Sequence, residues 1–432
     1  MKKLVLVALV VALASAVEAA TLRDGEAKWA GGDKVGATAV WREVLATSKD
    51  ASELVAVRMR LASAAVAAGD ASEAKAMWAT VASTSGDANV VALAKVRLAY
   101  LAIKLKAPIA DQIKAFLEIA DKYPNAAAAR DCLLRAALLK DKQDKASGLA
   151  AFEQVILRYP GTKEAAEASY RKGLVCERDR STIDEAIAAL DYASSIGAAD
   201  PFTRQRAAVE LGYAHIMKYM GSDNEEDLKE TIEHLTAVLP MLRDTEMRVR
   251  AHLAMGECYL LLEDKPLKQW PPDETEFAAK EQQHYPVHAE KEYRAALAEN
   301  GSSYQKNLAR YGLAHTLRVK KDYEAAQVVF GELLAAMPGS TLIEKTASWQ
   351  KLGLASTPSG LAAGAGHHWK WGELPLMAAY WRGACLASFR RNAEAKAIYE
   401  QIISEYGGQD LPPCLVKAAR QGIADMEGEP AE

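Results

Sequence analysis

Gly32-Asp33-Lys34-Val35-Gly36-Ala37-Thr38-Ala39-Val40-Trp41 returns, with its key positions kept, as Gly69-Asp70-Ala71-Ser72-Glu73-Ala74-Lys75-Ala76-Met77-Trp78. The two copies share Gly-Asp-x3-Ala-x3-Trp and lie 37 residues apart. A small residue followed four later by a large apolar one then recurs along the chain. The pairs are Gln112/Phe116 (an imperfect copy), Gly148/Phe152, Ala186/Leu190, Thr231/Leu235, Ala289/Tyr293, Ala326/Phe330 and Ala395/Tyr399. Successive large residues stand 37, 38, 36, 38, 45, 58, 37 and 69 apart. Self-similarity at such a period marks a repeat architecture. Several copies end on a helix stop: Tyr123-Pro124, Tyr159-Pro160-Gly161 and Met337-Pro338-Gly339. Proline lacks the amide that would continue the helix.

Residues four apart share one helical face. The small one admits a neighbouring helix and the bulky one fills the groove beside it. A second helical pattern precedes each pair, with contact points such as Leu211-Gly212-x-x-His215, Met255-Gly256-x-x-Tyr259 and Leu313-Ala314-x-x-Leu317, and with Gly383 placed alike in the last copy. Each unit therefore reads as two antiparallel helices joined by a short turn such as Ala68-Gly69-Asp70 or Lys320-Lys321-Asp322. One hairpin cannot bury its own apolar stripe, whereas stacked hairpins can. The expected fold is all-α, a right-handed α-solenoid of about nine repeats.

The pattern resembles the tetratricopeptide repeat, in which helix A carries W-x2-L-G-x2-Y and helix B carries A-x3-F followed by proline. Trp349-x2-Leu352-Gly353 is similar to the first motif, and Ala326-x3-Phe330 with Pro338 to the second. Phe152-Glu153-Gln154-Val155-Ile156-x2-Tyr159-Pro160-Gly161 and Tyr399-Glu400-Gln401-Ile402-Ile403-x2-Tyr406-Gly407 also resemble periplasmic repeat proteins. Those are the Tol-Pal-associated cell-division coordinators and the repeat lipoproteins of the outer-membrane assembly machine. The resemblance implies a protein-binding scaffold of the cell envelope.

The N-terminus supports the same compartment. Lys2 and Lys3 precede an apolar run from Leu4 to Val17, and Val17-Glu18-Ala19 offers a cleavage site. This layout reads as a secretory signal peptide cut after Ala19, with a retained anchor as the alternative. No later run reaches the roughly 20 apolar residues that a bilayer core requires. The expected division is therefore a signal peptide at 1–19 and repeats at 20–262, followed by an insertion at 263–286 and further repeats at 287–340. An orphan helix with a Gly/Ala-rich segment at 341–373 and a last repeat with a capping helix at 374–432 complete it.

Charge and composition narrow the partner. Lys+Arg 53 against Asp+Glu 57 gives a net charge of −4, which leaves no basic excess for nucleic acid. Half of the residues are hydrophobic and a quarter charged, as in an ordinary folded chain. The five cysteines, Cys132, Cys176, Cys258, Cys385 and Cys414, are widely and irregularly spaced in apolar helical contexts, so they read as buried thiols. If one bridge forms, Cys385 with Cys414 is the expected pair.

Two surfaces are candidates for binding. On the concave face lined by helix A, counting from the Leu-Gly contact point gives Tyr170, Tyr213, Tyr311, His315, Arg318 and Tyr380, with packing between helices as the alternative role. Tyr311, His315 and Arg318 follow i, i+4, i+7 and form one stripe. The insertions carry Trp270, Trp369 and Trp371, which could grip a peptide or a sugar ring, so a glycan or peptidoglycan-fragment module is the second reading. His284 and His288 are four apart but straddle Pro286 and complete no metal signature. No Gly-x-Ser-x-Gly elbow, His-Glu-x-x-His, phosphate-binding loop or dinucleotide fingerprint is present. The sequence thus predicts a non-enzymatic protein without cofactor or metal, and a protein or peptide partner.

Overall fold

The structure is a computed structural model that describes residues 21–177, 179–263, 285–356, 374–407 and 413–428. The expected signal peptide, Trp270, Trp369 and Trp371 lie outside the described residues. Among the described residues there are twenty α-helices and no strand, so the all-α reading holds. None of these helices is long and apolar enough to cross a membrane.

The chain forms two compact units, which meet in sequence between Tyr159 and Pro160. The first contains α1 (Leu22–Ala30), α2 (Lys34–Thr47), α3 (Ala51–Ala68), α4 (Ala71–Thr84), α5 (Ala88–Lys104), α6 (Ile109–Lys122), α7 (Ala127–Gln143) and α8 (Lys145–Arg158). The second contains α9 (Lys163–Cys176), α10 (Ile183–Ser195), α11 (Pro201–Ser222), α12 (Glu225–Val238), α13 (Thr245–Glu263), α14 (Tyr285–Ala298), α15 (Ser303–Val319) and α16 (Tyr323–Ala336). It continues through α17 (Leu342–Ser356), α18 (Leu374–Ser388), α19 (Asn392–Tyr406) and α20 (Pro413–Glu427). Within each unit, consecutive helices pack on each other, except that α16 packs on α18 rather than on α17.

The repeated Gly-Asp explains where the helices begin. Asp33 and Asp70 are N-caps, whose carboxylates accept from the amides of Gly36 and of Ser72 and Glu73. Asp50, Asp87, Asp144, Asp200 and Asp322 cap other helices in the same way. Gly32 and Gly69 supply the left-handed turn before the cap (φ +89° and +86°), and Lys321 takes that conformation before Asp322 (φ +63°).

The small/large pairs explain the packing. Trp41, Trp78, Phe116, Phe152, Leu190, Leu235, Tyr293, Phe330 and Tyr399 are all exposed by 5% or less. Burying side chains of this size contributes about 1.5–3 kcal/mol each. A glycine on the preceding helix A commonly seats the bulky residue. A methyl placed on Gly173 would meet Leu190, one on Gly212 would meet Leu235, and one on Gly383 would meet Tyr399. Tyr293 is enclosed from two sides, by Gly256 of its own hairpin and by Gly312 of the next. The polar Gln112 of the imperfect copy is accommodated because its Nε2 donates to the Ala107 carbonyl at 2.7 Å.

The long intervals leave the stack intact. Helix α13 packs directly on α14 around the insertion, and α16 packs directly on α18. The helix in between, α17, lies beside α15, α18 and α19, with Trp349 stacked on Tyr304 at 4.4 Å. Trp349 therefore anchors an added helix rather than opening a further hairpin. Cys132, Cys258 and Cys385 are free and buried and Cys176 is buried, while the side chain of Cys414, the expected partner of Cys385, lies outside the described residues.

Candidate interaction face

In the second unit the helices A are α9, α11, α13, α15 and α18, and neighbouring ones touch from α9 to α15. Most of the buried polar side chains of the described residues lie on or next to them: Glu164, Ser169, Glu177, Thr203, Glu210, Arg250, Gln305, Asn307, His315 and Thr316. Burying polar atoms is costly unless they are paired. Their concentration on one set of helices makes this face chemically distinct from the alanine-rich contacts elsewhere.

The first cluster joins α9, α11 and α13. Arg250 donates two bonds to Glu210, at 2.5 and 2.6 Å, with the side chains 5% and 1% exposed. Burial works against the guanidinium charge, but the neighbouring Glu210 carboxylate outweighs it and the Arg250 pKa is raised. The ring of Tyr213 lies 5.1 Å from the Arg250 guanidinium, and its hydroxyl donates to the Arg250 carbonyl at 2.8 Å. Burial, followed by the charge of Glu210, pushes the Tyr170 hydroxyl up to about 12. About two turns along α13 from Arg250, burial lifts the half-buried Glu257 carboxyl to about 7, in a setting it shares with Tyr213, Cys258 and Tyr293.

The second cluster joins α15 and α18. Tyr311 and His315 lie 5.5 Å apart, and His315 meets Trp381 edge-on at 5.4 Å. The Arg318 guanidinium stacks on Trp381 at 4.2 Å, a cation–π geometry. Tyr380 bridges Trp381 and Tyr399, with ring centroids 5.2 and 5.8 Å away. Burial raises the hydroxyl pKa of Tyr311, and that of Tyr380 to about 12.

The six positions singled out by the sequence lie on the helices A α9, α11, α15 and α18. Tyr170, Tyr213, Tyr311 and His315 are buried and make contacts between helices, whereas Arg318 and Tyr380 are half-buried. Sequence reasoning missed Glu210, Arg250 and Trp381. The first two were accessible through the repeat itself, because positions 210 and 250 stand about one period apart on successive helices A.

A tetratricopeptide-repeat family model matches residues 131–162 and 377–408, so tetratricopeptide repeats are present in the chain. No curated protein matches it. The chain is similar to a solved signal-transduction ATPase with numerous domains that carries a tetratricopeptide-repeat sensor, from Pyrococcus horikoshii. The identity is 11% and the TM-score 0.45, over 90% of this chain and 52% of that one, so it spans about half the length of that protein. It is also similar to a Rap protein complexed with competence and sporulation factor, at 14% identity and TM-score 0.34, over 87% and 98% of the two chains. A third similarity is to the human IFIT1 dimer with m7Gppp-AAAA, at 12% identity and TM-score 0.32, over 94% and 88%.

Proposed function

We propose that this chain is an exported interaction scaffold of the bacterial cell envelope that holds a peptide segment or partner protein on the helix-A face of its second unit. It acts by binding and not by catalysis. The presence of tetratricopeptide repeats supports a protein-binding role. The observation that carries the placement is the gathering of buried polar and aromatic side chains on α9, α11, α13, α15 and α18. At its half-buried end, Arg318 on Trp381 offers a planar donor with an aromatic platform, which suits peptide carbonyls and acidic side chains. Export is supported by the Lys2 to Ala19 segment, and an envelope role by the motifs at 152–161 and 399–407.

The test is retention of envelope proteins by the immobilised chain. The wild type is expected to capture a defined partner, and Arg318→Glu to lose it with unchanged helix content. Val328→Glu, on an exposed helix-B position, is expected to keep it. Equal capture by both variants would place binding elsewhere.

A further inference from the structure

Ser222 closes α11, and α12 begins only three residues later. Asp223 adopts a left-handed turn between them (φ +60°), so the two helices fold back on each other. This turn sets the first two turns of α12 against the C-terminal half of α11. On α12, Asp227 and Glu230 are three apart and share one face. Opposite them on α11 stands His215. One ring nitrogen of His215 and one carboxylate oxygen each of Asp227 and Glu230 lie within 4.8 Å of one another.

Three further observations set this cluster apart from an ordinary acidic helix start. Asp227 is buried, and its carboxylate accepts a hydrogen bond from Ser222 Oγ at 3.1 Å. Among the described residues no Lys or Arg side chain forms an ion pair with Asp227 or Glu230, while the nearby Lys218 is engaged with Asp184 at 3.2 Å. The Nδ1 of His215 is buried and makes no hydrogen bond. A buried Asp227 carboxylate beside a buried imidazole nitrogen that has no hydrogen-bond partner is costly unless something shares it, and Lys218 offsets the two carboxylates only at longer range. His234, one turn beyond Glu230, is committed elsewhere through Nε2 to the Ala208 carbonyl at 2.8 Å.

We propose that His215, Asp227 and Glu230 form a binding site for a divalent first-row transition-metal ion, Zn2+ being its representative, with the remaining coordination positions taken by water. One imidazole and two carboxylates match the donor preferences of this class. Two negative charges balance one dication. Ligand–metal distances of about 2.0–2.2 Å put donor atoms roughly 3.4 Å apart, which the exposed Glu230 side chain can reach by a rotamer change. Such an ion would tie α11 to α12 within the second unit, beside the interaction face.

The experiment is calorimetric titration of the untagged, metal-stripped full chain with ZnCl2, alongside Glu230→Gln and His215→Gln. Glu230 is exposed, so its variant keeps the fold, and helix content from circular dichroism verifies both. The expected result is one saturable equivalent in the wild type, weakened about tenfold or more in each variant. Addition of Co2+ to the wild type is expected to give a visible absorption band that Glu230→Gln lacks. Absence of a saturable equivalent in the wild type, or equal affinity in wild type and both variants, would overturn the proposal.

Discussion

Replacing Glu210 by glutamine keeps the shape of the buried pair and removes its charge. Arg250 would then remain enclosed by α9, α11 and α13, with the nearby Glu177 carboxylate as partial compensation. Removing one partner of a buried ion pair leaves a charge that was desolvated for nothing, a loss of about 3–5 kcal/mol. Glu177 should hold Glu210→Gln near the lower figure. Arg250→Met is the mirror perturbation and strands Glu210. The double variant Glu210→Leu/Arg250→Met strands neither and should fall within about 1 kcal/mol of wild type or above it. The assay is urea unfolding followed by helix signal at 222 nm, with the midpoint of the second unit's transition compared across the four chains. A loss below about 1 kcal/mol in Glu210→Gln, or a double variant as unstable as the singles, would refute the reasoning. Either outcome would mean that water reaches the pair, and that the polar interior of the helix-A face is open rather than packed.

Three further expectations follow from the packing, the titrations and the N-terminus. Gly312→Ala sets a methyl 2.2 Å from the Tyr293 ring and should destabilise by about 1–3 kcal/mol in thermal or urea unfolding, with recovery when Tyr293→Leu is added. Because Glu257 titrates near 7 when folded and lower when unfolded, the folded chain binds the extra proton between those values. Stability should therefore fall as pH rises through that window, and Glu257→Gln should flatten the slope and stabilise at pH above 7 by on the order of 2 kcal/mol. Mass spectrometry of the protein recovered from its native cell should find the N-terminus at Ala20; an intact Met1 would remove the cleavage reading.

The hairpins were legible because their physics is local. A helix face is set by residues three and four apart, and Asp33, Asp70 and Asp322 announce helix starts through their own side chains. Trp349 was harder to place. Its motif looks like helix A while its spacing reads as an orphan helix, and the direct packing of α16 on α18 decides for the addition. The boundary after Tyr159 was not legible either, since Tyr-Pro-Gly also closes ordinary repeats. Tyr170, Tyr213 and Tyr311 do lie on helices A, but a tyrosine at such a position suits a groove and a helix contact equally. Their burial depends on how closely the next helix A approaches. The same holds for His215, whose relation to Asp227 and Glu230 depends on the register that Asp223 sets between α11 and α12.

The most direct measurement of the central claim is photo-crosslinking in the native cell, with a benzophenone amino acid in place of Trp381 on the helix-A face or of Val328 on α16. The account predicts one discrete adduct from position 381 and none from position 328. Adducts of equal yield at both positions, or at 328 alone, would contradict it.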